Sequence, residues 1–348
     1  MIRDKIKEQL TNKDISIKPS YKGKTMNVEI TSNCNEKCIY CEYSAQGLHK
    51  RNKMIESELF YKITRQAKEM GIRDIGLYVT AEPLCNPKIY DYIKYLKKNL
   101  KFDYVYISTN GILCTPSNLE KLVYAGIDSI KFSVSATNKE EFIVHHGVDC
   151  FEKVYENIKY AYSFRKKNNL DYKLFMFSIL TEINKCNKQK FIDLYGRYVD
   201  ELLFTNVIAN PYVEGVEKYL CIKEANTQLM NTYDAIKLPC LELFDRIVVN
   251  EDGYLCACCH ETGSKYTEIV DLHNVDLKDA VYCDRLKEIR KAHIEKRIDG
   301  LICENCVSRE FINANAMNIK LQSRVITDPK RNIESEILSR IERYGIRR

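Results

Sequence analysis

MNVEITSNCNEKCIYCEYS, residues 26–44, decides the reading of this chain. Its opening, MNVEIT, reads as a strand, and Cys34, Cys38 and Cys41 follow directly at CxxxCxxC spacing. Three thiolates so spaced can wrap one cubane iron–sulfur cluster from a single loop, binding three irons and leaving the fourth open. The open iron is the point of the arrangement, because a cluster held by four cysteines has no place for a substrate atom. A loop that directly follows the first strand of a β–α series lies at the C-terminal mouth of an α/β barrel, where active sites gather. Zinc is the alternative occupant, although it usually takes four ligands and favours paired CxxC elements.

Outward from this loop, strands and helices alternate. Asn52 to Met70 carries Leu59, Ile63, Ala67 and Met70 at helical spacing, and Ile72 to Thr80 is the second strand. Lys88 to Lys98 is helical and Tyr104 to Asn110 is the third strand. Thr115-Pro116 places a helix N-cap before proline, and that helix closes near Gly126. Ile127 to Val134, Tyr172 to Leu180 and Leu202 to Ile208 are further strands, with helices at Phe151 to Lys167 and around Lys188 to Tyr198. Strands this apolar, separated by helices, predict an α/β fold with a parallel sheet, a partial (β/α)6 TIM-like barrel. A two-sided open sheet is the rival, and periodicity alone does not separate the two.

The pattern changes near residue 233, where cysteines crowd in and VVNEDGYLC reads as a β-hairpin turned by Asp252-Gly253. A helix follows at 279–298. The expected division is a lead-in at 1–25, a barrel domain at 26–232, a small cysteine-rich domain at 233–310 and a helical tail at 311–348.

Composition bounds the rest. The 348 residues are 45% hydrophobic and 29% charged, an ordinary globular balance. No stretch approaches the roughly 20 apolar residues of a membrane span, and MIRDKIKEQLTNKD is not a signal peptide, so a cytoplasmic location without membrane association is expected. A net charge of +6, with no long basic block, argues against nucleic acid. Fifteen cysteines, clustered and odd in number, suit metal better than disulfides. The lone ones, such as Cys114 and Cys150, read as small core residues.

The CxxxCxxC loop resembles that of the radical S-adenosylmethionine (SAM) superfamily, and three features downstream strengthen the likeness. The family has an aromatic residue before the third cysteine, and Tyr40 fills that place, which the resemblance puts near the adenine. The family's second strand ends in a Gly-Gly-Glu-Pro-like turn that holds the methionine amino group. Here it ends Thr80-Ala81-Glu82-Pro83, keeping the glutamate and proline and replacing both glycines. Ser108-Thr109-Asn110-Gly111 and Ser133-Val134-Ser135-Ala136 end the third and fourth strands, where small polar residues suit ribose and carboxylate contacts. Asn184, beyond the fifth strand, is a further candidate; Arg165 is another, with a solvated helix face as its plainer reading. The resemblance implies that Cys34, Cys38 and Cys41 hold a 4Fe–4S cluster whose open iron chelates SAM. It implies reductive cleavage to a 5′-deoxyadenosyl radical that abstracts a substrate hydrogen, with an external donor such as flavodoxin or ferredoxin. The expected SAM contacts are Tyr40, Thr80, Ala81, Glu82, Asn110, Ser133, Ser135 and Asn184.

The cysteine-rich region resembles the auxiliary-cluster domains of many radical SAM enzymes, called SPASM and, when shorter, twitch. Their opening pattern is met by Cys240, Gly253 and Cys258, with Cys259 a close rival to Cys258, and CENC supplies Cys303 and Cys306. The longer form continues with more cysteines, where this chain has Ile312 and Ala316. The resemblance therefore implies the twitch form, with one auxiliary 4Fe–4S cluster on Cys240, Cys258, Cys303 and Cys306 that is coordinatively full and transfers electrons. A zinc ribbon on the same cysteines is the alternative. His260 reads as half-buried, and His145-His146-Gly147 as a loop after the fourth strand, a paired-histidine metal site being the sharper option.

Enzymes of this build oxidise or rearrange small molecules, or modify ribosomally made peptides. Only 33 residues precede Cys34, too few for a leader-binding domain. The expectation is two-electron oxidation of a sugar or aminocyclitol alcohol, with the auxiliary cluster as electron acceptor. Peptide modification (thioether, epimer or cross-link) is the alternative, and a non-catalytic iron–sulfur or zinc scaffold is the reading from another class.

Overall fold

The structure is a computed structural model. It describes residues 16–45, 47, 52–207, 213–214, 219–220, 240, 242–259, 268–295, 297–298, 301 and 331–344. Six parallel strands run in chain order: β1 Thr25–Val28, β2 Asp74–Gly76, β3 Tyr104–Thr109, β4 Ser129–Ser133, β5 Lys173–Leu180 and β6 Glu201–Asn206. Val213–Glu214 (β7) pairs with Arg331–Asn332 (β11) in a separate two-stranded sheet. Between the six strands run the helices Ser57–Glu69, Ile89–Lys94, Pro116–Ala125, Lys139–His146, Phe151–Lys167 and Lys188–Tyr195. The helix Pro116–Ala125 starts at proline and stops at Gly126, whose φ of 104° suits glycine.

Alternation along the strands separates two faces. In β3 to β5, Val105, Ile107, Ile130, Phe132, Leu174 and Met176 are buried under the helices, in one core with Leu119, Leu122, Val154 and Ile158. The other face carries Tyr106, Ser108, Lys131, Ser133, Phe175 and Phe177, all partly exposed. That face is concave. The Lys131 ammonium on β4 meets the Tyr78 hydroxyl beyond β2, passing over Ser108 on the strand between. It also feels the charge of Arg246. Arg246 stands four strands away, which would be about 19 Å on a flat sheet, so the sheet curls into a partial barrel. Gly76 makes room in this lumen: a Cβ there would lie 2.6 Å from Asn27 Nδ2 and 2.8 Å from the Tyr106 ring.

The hairpin of β8 Arg246–Val249 and β9 Tyr254–Cys256 turns at Gly253, φ 84°. It does not form a sheet of its own. β8 pairs in parallel with β1, and β9 with β10 Glu268–Asp271, giving one nine-stranded sheet, β10-β9-β8-β1-β2-β3-β4-β5-β6. Asp252 pairs with Lys53 at 2.6 Å, and the fully buried Arg290 donates to Leu243 O, Val281 O and Tyr21 Oη at 3.0, 2.7 and 2.5 Å.

Several elements differ from their sequence reading. The second strand is three residues long, because the chain from Leu77 bends toward Glu29 at the mouth. The helix expected over 52–70 starts only at Ser57, because Met54 bridges back to Thr31. The helix expected over 279–298 is two, Leu277–Ala280 and Asp284–Ile294. His145 and His146 end a helix, Lys139–His146, capped by the Asn138 side chain; the local sequence had read as a loop. No helix among the described residues is long and apolar enough to cross a membrane.

Candidate active site

The cysteine loop leaves the C-terminal end of β1 and is fastened on three sides. Lys37 and Ile39 N–H donate to His146 O and His145 O at 2.9 and 2.8 Å. Asn110, past β3, donates to Asn35 Oδ1 at 2.6 Å. Arg340, on the C-terminal helix Ile333–Tyr344, donates to Lys37 O at 2.7 Å and Val144 O at 2.5 Å. Ile39 is fully buried and anchors the loop against Val207 and Leu220.

Cys34, Cys38 and Cys41 are partly exposed in this loop, and a turn from Cys41 N to Cys38 O at 3.1 Å sets the last two. Burial pushes the Cys38 thiol well above its ordinary value, and Glu36, Cys41 and Cys34 add to it. Cys34 is raised likewise, by burial first and with Cys41 among the causes. The three sulfurs are therefore close enough to act on one another. That fits a shared metal group, whose positive charge offsets what now holds the thiols protonated.

A second set of groups surrounds Cys38. Its Sγ lies 3.3 Å from Glu36 Oε2 and 3.6 Å from His146 Nδ1. Ser135 N–H donates to His146 Nε2 at 3.1 Å, so Nδ1 carries the ring hydrogen and donates to Glu36 Oε2 at 2.9 Å. One atom each of Glu36, Cys38 and His146 lies within 4.8 Å of the others, a grouping that can also hold a metal ion. His145 is the structural partner: burial, then His146, pushes it down to about 3, and its ring bonds Glu141 O and Thr181 Oγ1, both at 2.9 Å.

The turn after β2 is held from below. Glu29, the residue after β1, accepts from Thr80 N, from Thr80 Oγ1 at 2.7 Å and from Ala81 N at 3.1 Å. Its other oxygen is buried with no partner among the described residues. Glu82 accepts from Leu84 N, Thr109 Oγ1 and Asn110 N at 3.1, 2.8 and 2.7 Å, locking the β2 and β3 ends together. Burial pushes Glu29 and Glu82 each up to about 7, against those hydrogen bonds.

The structure brings the expected SAM contacts around one mouth, with most of their polar atoms already engaged. Tyr40 donates to Ser135 Oγ at 3.0 Å. Asn184 is buried and donates to Ser135 O and Ile179 O at 2.9 and 3.0 Å. Ser133 ends β4, partly exposed. Arg165 is not there: it pairs with Asp200 at 2.5 Å and with Tyr172 O at 3.0 Å, before β6 and β5, at the opposite end of the barrel. Cys240 precedes β8, and Cys258 lies two residues past β9, so both flank the foot of the hairpin, away from the mouth. Cys303, Cys306 and His260 lie outside the described residues.

Residues 28–184 match the model of the Radical SAM superfamily. This stretch is a radical SAM domain. The family implies a 4Fe–4S cluster and SAM. Curated relatives include GTP 3′,8-cyclase of Clostridium acetobutylicum, 27% identical over 62% of this chain and 66% of that protein. Another is a probable GTP 3′,8-cyclase of Saccharolobus solfataricus, 28% identical over 49% and 52%. The chain thus spans about half to two-thirds of the length of these relatives. Among solved structures with the same fold, anSMEcpe with bound AdoMet and Cp18Cys peptide has a TM-score of 0.60 at 15% identity, over 92% of this chain and 96% of that one. SuiB of Streptococcus suis bound to precursor peptide SuiA gives 0.59 at 15%, over 90% and 75%. BtrN in complex with AdoMet and 2-DOIA gives 0.51 at 16%, over 81% and 92%.

Sequence reasoning missed Glu29, Glu36 and Arg340, and it named His146 only as a loop residue beside His145, with a paired-histidine metal site as the sharper option. Glu29 carried a readable signal, the one charged residue in the buried stretch Met26 to Thr31. Arg340 carried none, since its partners are backbone carbonyls about 200 and 300 residues away.

Proposed function

We propose that this chain is a radical SAM enzyme in which Cys34, Cys38 and Cys41 hold the 4Fe–4S cluster. The observation that carries the reading is the convergence of the three mutually acting thiols at the mouth end of β1, inside the matched domain. When bound, the cluster supplies the electron that cleaves SAM. The chain's own groups orient what binds there. Glu29 and Glu82 fix the turn Thr80–Glu82, leaving its carbonyls for the methionine amino group. Tyr40, Ser133, Ser135 and Asn184 rim the adenosyl side, and Asn110 ties the third strand's end to the loop.

Cys240 and Cys258, with Cys303 and Cys306, are the proposed ligands of an auxiliary cluster of the twitch type. Cys240 and Cys258 flank the hairpin foot, so a cluster held by them would have the lumen between it and the Cys34 loop. The six residues Thr25 to Ile30, β1 and the two that follow it, separate the two levels by about 20 Å at about 3.3 Å each. This arrangement supports two-electron oxidation of a small molecule in the lumen, one electron leaving toward the hairpin foot. A peptide substrate is the second reading, favoured by the peptides bound in two proteins of the same fold.

The test is anaerobic reconstitution, reduction and chromatography of SAM products. Wild type should release 5′-deoxyadenosine and methionine, and Cys34→Ala, Cys38→Ala and Cys41→Ala should each abolish this. Wild-type cleavage by any of the three sinks the assignment.

A further inference from the structure

The helix Lys139–His146 ends against the cysteine loop. An α-helix leaves its last four carbonyls without partners inside the helix, and here all four are taken. Gly147 N–H donates to Ile143 O at 2.9 Å from a left-handed turn, φ 75°. Arg340 donates to Val144 O at 2.5 Å, Ile39 N–H to His145 O at 2.8 Å and Lys37 N–H to His146 O at 2.9 Å. Two of these donors are the backbone amides on either side of Cys38. A third is a side chain from the far end of the sequence.

The same guanidinium donates to Lys37 O at 2.7 Å. That carbonyl belongs to the peptide bond leading into Cys38, so Lys37 is gripped through both its N–H and its C=O. Arginine suits the place: it keeps its charge, presents several donors in one plane, and meets the negative end of the helix dipole. Gly147 gives it access. A Cβ there would lie 2.8 Å from Lys37 O and 3.0 Å from Arg340 Nη2. Three residues earlier on the helix Ile333–Tyr344, Ile337 packs against the apolar cluster of Ile39, Val207 and Leu220. This helix therefore meets the loop by hydrogen bonds before Cys38 and by packing after it.

We propose that Arg340 is a positioning residue through which the helix Ile333–Tyr344 clasps the cysteine loop, so that loop order and helix docking form one coupled equilibrium. Whatever binds Cys34, Cys38 and Cys41 together then also tightens the helix, because coupling between two sites is reciprocal. That the bound group is a 4Fe–4S cluster rests on the radical SAM reading; the clasp itself does not.

Hydrogen exchange of the full chain, read by peptide mass spectrometry, tests this in two arms. In metal-free, reduced protein, Arg340→Met takes a charged donor from two carbonyls and should speed exchange over residues 37–41 by about tenfold, with β3 unchanged. Gly147→Ala should do the same from the other side of the contact. Arg340→Lys, which keeps one charged donor, should recover part of the protection, and Arg343→Met, exposed on the same helix, should match wild type. The second arm needs no variant of the clasp. Anaerobic loading of wild type should slow exchange over Ile333–Tyr344 by about fivefold or more, the low end of a usual coupling. The Cys34/Cys38/Cys41 triple alanine variant, given the same iron and sulfide, should show no slowing. A folded Arg340→Met that exchanges like wild type over residues 37–41 overturns the clasp. So does a wild type that gains iron the triple variant lacks while its helix exchanges as before. A wild type that gains no such iron overturns the radical SAM reading, and the metal-free arm then decides the clasp alone.

Discussion

Glu29→Gln isolates the energetics of the mouth. One Glu29 oxygen accepts every hydrogen bond from Thr80 and Ala81, and the other is buried without a partner among the described residues. Glutamine can keep its oxygen on the first set and place its amide in the second position, removing only the charge. In the folded chain burial raises Glu29 from an ordinary 4.5 to about 7, the Thr80 hydrogen bonds oppose this, and Glu251 adds to it. An acid raised on folding holds its proton more tightly in the native state. Its contribution is therefore at full strength below pH 4.5 and is lost as pH rises toward 7. At about 1.4 kcal/mol per pH unit, the loss amounts to about 3 kcal/mol once the group is ionised in both states. Glu29→Gln should therefore match wild type near pH 4.5 and exceed it by up to about 3 kcal/mol at pH 8.5. Urea unfolding of metal-free, reduced protein at pH 5 and 8.5 reads the difference, and the native carboxyl stretch in infrared spectra reads the titration directly. A wild-type-minus-variant gap that stays constant between the two pH values refutes the reasoning.

Three further outcomes are expected. Iron analysis after anaerobic reconstitution should approach about eight per chain, and the Cys34/Cys38/Cys41 triple alanine variant should keep about half; one zinc with four irons would refute the auxiliary cluster. Cys258→Ala should lose auxiliary iron, while Cys256→Ala should keep it, since Cys256 is buried with its Sγ on Tyr254 O, and Cys259→Ala should keep it too; iron lost from Cys259→Ala and not from Cys258→Ala reverses the ligand choice. Arg290→Met leaves Leu243 O and Val281 O without their donor in a buried place and should lower stability by about 3 kcal/mol; an unchanged urea midpoint would show that the brace carries no net stability.

What the sequence made readable was local. The strand-to-loop transition at Ile30–Cys34, the Thr115-Pro116 start and the hairpin at Asp252-Gly253 each rest on contacts within a few residues, and each lies where expected. The parallel pairing of β8 with β1 joins segments more than 200 residues apart, and no periodicity encodes it. The helix Lys139–His146 was missed for a related reason. Every residue from Glu141 to His146 is buried, so the amphipathic stripe that marks a surface helix is absent. His146 therefore looked like a loop residue, although it sits beside Cys38.

The mouth also shows why residue types that suit SAM need not touch it through their side chains. The Glu82 carboxylate has three backbone or hydroxyl donors, Asn184 uses both ends of its amide, and the Asn110 oxygen takes Ile112 N. Side chains so engaged cannot turn to a ligand without leaving buried partners unpaired, at about 1–3 kcal/mol each. Their effect is to hold backbone groups in fixed directions before anything binds, which is how a site can grip a small polar molecule without ordering itself at that moment. Replacement of the family's two glycines by Thr80 and Ala81 fits the same logic. In this chain the Glu29 carboxylate, just past β1, holds both amides, and the Thr80 hydroxyl gives that carboxylate a further donor that glycine lacks.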